Sequence, residues 1–82
     1  MARKKVPRRD LSVANFVRER RKANHLTQAG LSELAGVGRR LIVELEQGKP
    51  TLRMDAVNAV LSVFGKRLGV VVAPRPEVEA DE

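Results

Sequence analysis

Apolar residues recur at helical spacing in four stretches of this chain, and residues suited to starting or ending a helix bound each one. Val13, Phe16 and Val17 predict a first helix from Leu11 or Ser12 to about Ala23, with Asp10 or Ser12 as its cap and Asn24 or His25 at its end. Leu31, Leu34 and Ala35 predict a second over residues 28–35, capped by Thr27 and closed by Gly36 in a left-handed conformation. Leu41, Ile42 and Leu45 form the inward stripe of a third, which begins after Gly38 and ends at Gln47 and Gly48; Lys49-Pro50 prevents it resuming. Leu52, Ala56, Val57, Val60, Leu61 and Phe64 give a fourth, over residues 52–64 with Thr51 as cap, a wide apolar face to close the core. Past Gly65 the pattern changes. Leu68-Gly69-Val70-Val71-Val72, held between glycine and Pro74, reads as a strand within residues 66–73, with a fifth helix or a coil as the alternative.

The second and third helices meet at Gly36-Val37-Gly38, the layout of a helix-turn-helix, whose second helix enters a DNA major groove. If Leu41, Ile42 and Leu45 face inward, then Arg39, Arg40, Val43, Glu44 and Gln47 face outward, with 39, 43 and 47 stacked one turn apart and 40 above 44. Arginines at the N-terminal end of such a helix suit base edges, because a guanidinium holds guanine through two hydrogen bonds. The alternative is a solvated basic pair that merely opens a helix. Arg21 projects near the core face of the first helix and needs a carboxylate there; Glu46, beside Leu45, is placed to supply it as a structural ion pair, the alternative being two independent solvated charges.

A single strand leaves its backbone N–H and C=O groups unpaired. The simplest remedy is its own copy in a second subunit, so Leu68, Val70, Val71 and Val72 are expected at an isologous dimer contact. Two reading helices related by a two-fold axis would then suit a palindromic operator with half-sites about 34–36 Å apart.

In Val17-Arg18, Arg21, Leu26-Thr27-Gln28, Leu31, Gly36-Val37, Ile42, Leu45-Glu46 and Gly48-Lys49 the chain resembles the lambda-repressor-like, xenobiotic-response-element type of helix-turn-helix family, over about residues 11–64. Within it, Val43-Glu44-Leu45-Glu46-Gln47-Gly48-Lys49-Pro50-Thr51 and the apolar run after the fourth helix are most similar to the HipB-type antitoxins. The resemblance implies an all-α fold of four to five helices with one short C-terminal β-strand pairing across a homodimer. It implies that Thr27 and Gln28 meet the DNA backbone, Gln28 also a flanking base. It further implies that Arg39, Arg40, Val43 and Glu44 face bases, that Gly38 lies at a phosphate-backbone contact, that Lys49 and more weakly Arg53 reach phosphate, and that Arg21 pairs with Glu46. Two positions depart from the family: Gly38 lacks the usual hydroxyl, and Ser32 replaces a small alanine and must find a hydrogen-bond acceptor of its own.

Composition narrows the function. With 82 residues the chain suits one small domain, and a net charge of +6 favours a polyanionic partner. The charge is uneven. Residues 1–9 hold Arg3, Lys4, Lys5, Arg8 and Arg9, an arm expected to be disordered; residues 74–82 set Arg75 against Glu77, Glu79, Asp81 and Glu82, an acidic tail expected to be disordered too. Residues 10–65 would be the DNA-binding domain and 66–73 the dimerisation strand. There is no cysteine and one histidine, His25, in a loop, so no nucleophilic, metal or cofactor site is expected and the chain is not read as an enzyme. Two Phe with no Tyr or Trp leave little for stacking RNA bases. No membrane span is expected, and the location expected is the cytoplasm, at the nucleoid. The reading is a homodimeric, operator-specific repressor of double-stranded DNA, the antitoxin of a type II toxin–antitoxin pair that autoregulates its operon, with a HipA-like kinase as toxin partner. The alternatives are a phage-type repressor without a toxin and a protein-interaction module without specific DNA binding.

Overall fold

The computed structural model describes residues 11–73. Among them are four helices in chain order: α1 Ser12–Ala23, α2 Gln28–Ala35, α3 Arg39–Glu46 and α4 Met54–Val63. Asp10 as a helix cap, the basic arm and the acidic tail lie outside the described residues. Val17, Leu31, Ile42 and Val60, one from each helix, have no exposed surface and form the centre of the core. Leu45, Val57 and Leu61 complete it, and α2 packs mainly on α3 and α4 while α1 packs on α3. Phe16 and Phe64 meet edge to face over the α1–α4 seam, 6.2 Å between centroids, and the Arg20 guanidinium lies 5.2 Å from the Phe16 ring.

Local chemistry accounts for the helix ends. The Thr27 hydroxyl accepts a hydrogen bond from the Gly30 N–H at 2.9 Å, the N-cap expected for α2. Gly36 closes α2 at φ 73°, where a side chain would clash with its own backbone, and Gly48 at φ 82° does the same beyond α3. Asn24 ends α1 and returns its side-chain amide to the Arg20 carbonyl at 2.8 Å. The Ser32 hydroxyl, buried between helices, donates to the Ala29 carbonyl at 2.7 Å, one turn back, so the departure from alanine leaves no unpaired group.

Three expectations are corrected. Leu34 is not in the core: it is 62% exposed, at the edge of a shallow depression with Asn24, Leu26, Val63 and Phe64. Leu31 and Ala35 align one turn apart on the buried face of the short helix, and Leu34 falls on its flank. α4 starts at Met54, not Leu52, and its cap is Arg53, without a side-chain bond, in place of Thr51. Leu52 is half-buried against the core from an extended segment, so its apolarity reports burial and not helix; Asp55 in the first turn instead suits the positive end of the helix. The N-cap of α1 is Leu11, not Ser12, and it makes no side-chain cap bond.

Residues 66–73 form no regular element, and the described residues contain no strand. Leu68 is anchored, its N–H donating to Asn58 Oδ1 of α4 at 2.7 Å and its side chain packed on the core. Beyond it Val70, Val71 and Val72 are 103%, 81% and 96% exposed. A strand exists only with a hydrogen-bonded neighbour, and the described residues offer this segment none.

Candidate nucleic-acid interface

One face of α3 is buried and the other is bare. Ile42, Leu45 and Glu46 are buried, Leu41 is half-buried, and Arg39, Arg40 and Gln47 are exposed, with Val43 and Glu44 between them at partial exposure. The exposed row therefore begins with two arginines at the N-terminal turn. Gly38 caps that turn with extended backbone and no side-chain bond, and no acidic residue lies in the first turn. A Cβ at Gly38 would meet nothing within 4 Å, so the absent hydroxyl leaves open space and not a packing requirement.

The charges on this face are unequally engaged. Arg39 makes no side-chain hydrogen bond or ion pair among the described residues. Arg40 Nε lies 3.2 Å from Glu44 Oε2, one turn along, and Lys49 Nζ lies 3.5 Å from Glu44 Oε1. Glu44 thus sits between two cations that the chain turn at Gly48 brings to the same carboxylate. Arg53 is exposed but paired, its Nη2 2.6 Å from Asp55 Oδ2 and its Nε 3.1 Å from Oδ1, which locally cancels its charge. That contact holds the Asp55 carboxyl below the usual carboxylate range.

Behind the face lies a buried network. Glu46 accepts from Arg21 Nε at 2.6 Å and from Arg21 Nη2 at 2.9 Å, a two-bond fork between α1 and α3. Arg21 Nη1 donates to the Leu26 carbonyl at 2.9 Å. Gln28 Nε2 donates to Glu46 Oε1 at 3.2 Å, which ties the first turn of α2 to the same carboxylate. Burial alone would push the Glu46 carboxyl up, but the bonds from Arg21 and Gln28 and the nearby charges of Arg21 and Arg18 outweigh it and hold the group low. The same carboxylate raises the Arg21 guanidinium further.

Sequence reasoning missed three of these links. It gave Gln28 only an outward role, whereas its amide also turns inward to Glu46. It did not separate Arg18, whose Nη2 donates to the Glu46 carbonyl at 3.2 Å and covers the C-terminal end of α3. The available signal was the Arg18 and Arg21 spacing of three, which sets both on one face of α1. It also missed the shared hold of Arg40 and Lys49 on Glu44, although the one-turn spacing of Arg40 and Glu44 was visible. Among the described residues no three His, Cys, Asp or Glu side chains gather to hold a metal ion, and no helix is long and apolar enough to cross a membrane.

Comparison with known proteins agrees with this geometry. The helix-turn-helix family model matches residues 17–71. An uncharacterised HTH-type transcriptional regulator of Sinorhizobium fredii, y4mF, is 41% identical over 59 residues, covering 72% of this chain and 78% of the relative.

Proposed function

This chain belongs to the helix-turn-helix family, and from that premise we propose that it binds double-stranded DNA and regulates transcription, α3 being the helix that reads base edges. The observation that carries the reading is the division of α3 into a back buried at Ile42, Leu45 and Glu46 and a front that opens with exposed Arg39 and Arg40. A helix of this kind presents its N-terminal side chains to the major groove, and each two-bond arginine–guanine contact gives about 1–3 kcal/mol of discrimination. Thr27 and Gln28 at the start of α2, the Gly38 backbone N–H, and Lys49 flank the same face and are assigned to phosphate; Val43 and Glu44 are assigned to bases. Arg53 is assigned to phosphate only after it leaves Asp55. The likeness to an uncharacterised HTH-type transcriptional regulator of S. fredii supports a regulatory role.

The test is selection of bound duplexes from random DNA, followed by mobility shifts with the winner. The Arg39→Ala/Arg40→Ala double variant is expected to bind it at least about thirtyfold more weakly, from two lost contacts at the low end of their range. Unchanged binding would remove α3 from the interface.

The finer reading is a homodimeric repressor. Its support is the run of exposed valines at 70, 71 and 72, an apolar edge with unpaired backbone groups that a second copy would cover as an antiparallel strand. Sedimentation should show a dimer that Val71→Asp converts to monomer, and selected sites should be palindromic. The antitoxin role, with a HipA-like kinase as toxin, rests on the resemblance of residues 43–51. Co-purification of a kinase encoded beside this chain tests it.

A further inference from the structure

We propose that Glu44 is a specificity-determining residue of α3 beside the two arginines: it restrains Arg40 and Lys49 in the free protein and accepts a hydrogen bond from a cytosine amino group in the bound one. The inference rests on the DNA-reading role of α3 argued above.

A carboxylate in the middle of a surface that meets a polyanion is unfavourable for non-specific contact. It repels phosphate and engages two cations, Arg40 at 3.2 Å and Lys49 at 3.5 Å. Glu44 is also the better held partner. Its side chain is 24% exposed, against 88% for Arg40 and 45% for Lys49, so the acid is fixed and the bases can swing away from it. Arg39, one residue before Arg40, has no such restraint. The two arginines are therefore not equivalent: Arg39 is free to take any phosphate or guanine, and Arg40 moves to DNA only by leaving a carboxylate.

The consequences follow from donor and acceptor chemistry. In the major groove guanine N7 and O6 and thymine O4 offer acceptors, which a carboxylate repels, and adenine sets its N6 donor directly beside the N7 acceptor; cytosine offers the N4 donor with no acceptor of its own beside it, so it is the base a carboxylate accepts from without repulsion from the same base. At a cytosine Glu44 gains a partner as Arg40 departs to a neighbouring guanine or phosphate. At a base pair that turns an acceptor toward it, Glu44 is left desolvated and unpaired, and keeping Arg40 and Lys49 is the better alternative. Glu44 thereby lowers affinity for arbitrary DNA and makes it depend on one base pair.

The experiment compares the full chain with Glu44→Gln, which keeps the shape and removes the charge, and with Glu44→Ala. Each is used in selection from a random duplex library and in salt titrations on a duplex of arbitrary sequence, with far-UV circular dichroism to establish folding. The charge is expected to matter twice. On arbitrary DNA the logarithmic salt slope should steepen by about 0.9 for each cation released to phosphate, roughly eightfold tighter binding per cation at 0.1 M salt relative to 1 M. In the selection, wild type should require a cytosine at one position of each half-site, and both variants should lose that requirement while retaining the rest of the site. A wild-type site that both variants share unchanged, with an unchanged salt slope, would overturn the role of Glu44 alone. No enrichment by the wild type would overturn it together with the DNA-reading role of α3.

Discussion

Truncating Arg21 to alanine isolates the most consequential interaction inside the domain. Glu46 keeps 6% of its side-chain surface exposed and Arg21 13%, so neither charge is solvated enough for water to replace its partner. Arg21→Ala removes both bonds of the fork, at 2.6 and 2.9 Å, and also the bond to the Leu26 carbonyl at 2.9 Å. What remains is a buried carboxylate with one amide bond from Gln28 at 3.2 Å. Breaking a buried pair from one side costs about 3–5 kcal/mol, because the remaining charge is uncompensated. A domain of roughly sixty residues has about 3–9 kcal/mol in all. The variant should therefore lose most of its stability, seen as a large fall in the urea midpoint by far-UV circular dichroism at one protein concentration. The comparison that separates pairing from packing is Arg21→Met/Glu46→Leu, which removes both charges and fills the volume. It should recover most of the loss, since well-packed apolar pairs match buried ion pairs. An Arg21→Ala loss below about 1 kcal/mol would refute the reasoning, because it would mean that water reaches Glu46. So would a double variant no better than the single one.

Two further outcomes follow from the same coordinates. The folded state holds the Glu46 carboxyl below its ordinary value, so the pair stabilises fully above the unfolded glutamate value of about 4.3 and loses this as pH falls through the depressed folded value; the stability gap between wild type and Arg21→Met/Glu46→Leu should change only in that acid window, in urea melts taken from neutral pH downward. The two glycines of the turn should respond oppositely: Gly36→Ala, at φ 73°, should cost about 1 kcal/mol, whereas Gly38→Ser, at φ −71° with open space around its Cβ, should stabilise by a few tenths as a side-chain cap, and equal effects in thermal melts would contradict the assigned backbone conformations.

How much was legible in the sequence depended on the range of the interaction. The Thr27 cap and the Gly36 turn are settled within four residues, and both were readable. The Arg21–Glu46 pair joins distant helices, yet a charge on an apolar face signals a need for its opposite, and few carboxylates lay on the facing side. The start of α4 was not readable, because apolar spacing reports which residues are buried and Leu52 is partly buried without being helical. Leu34 failed for a related reason: in an eight-residue helix the apolar stripe is too short to say which flank the neighbours cover. At the candidate interface the exposure of Arg39 and Arg40 followed from the burial of Ile42 and Leu45. The inward turn of Gln28 did not, since it depends on how α2 is set against the C-terminal end of α3, which no local pattern encodes.

The N-terminus of α3 sharpens the functional argument. A sequence selected for stability alone would put Asp or Glu in the first turn, where the backbone N–H groups and the helix dipole favour negative charge, and Ser, Thr, Asp or Asn at the cap. This helix does neither: its first turn holds Arg39 and Arg40, no acid, and a glycine cap without a side chain. Each misplaced charge costs about 0.3–1 kcal/mol in a domain with little to lose. Meanwhile the buried side of the same helix is secured with unusual care, one carboxylate taking bonds from α1 and α2 together. The helix is thus fixed at its back, while at its front end Arg40 is met by Glu44 alone and Arg39 by no carboxylate among the described residues. An anion placed against the first turn relieves that deficit, because dipole and guanidinium groups act there with the same sign. A solvated basic pair that merely opens a helix gains nothing from this arrangement, whereas a nucleic acid seated there removes its cost.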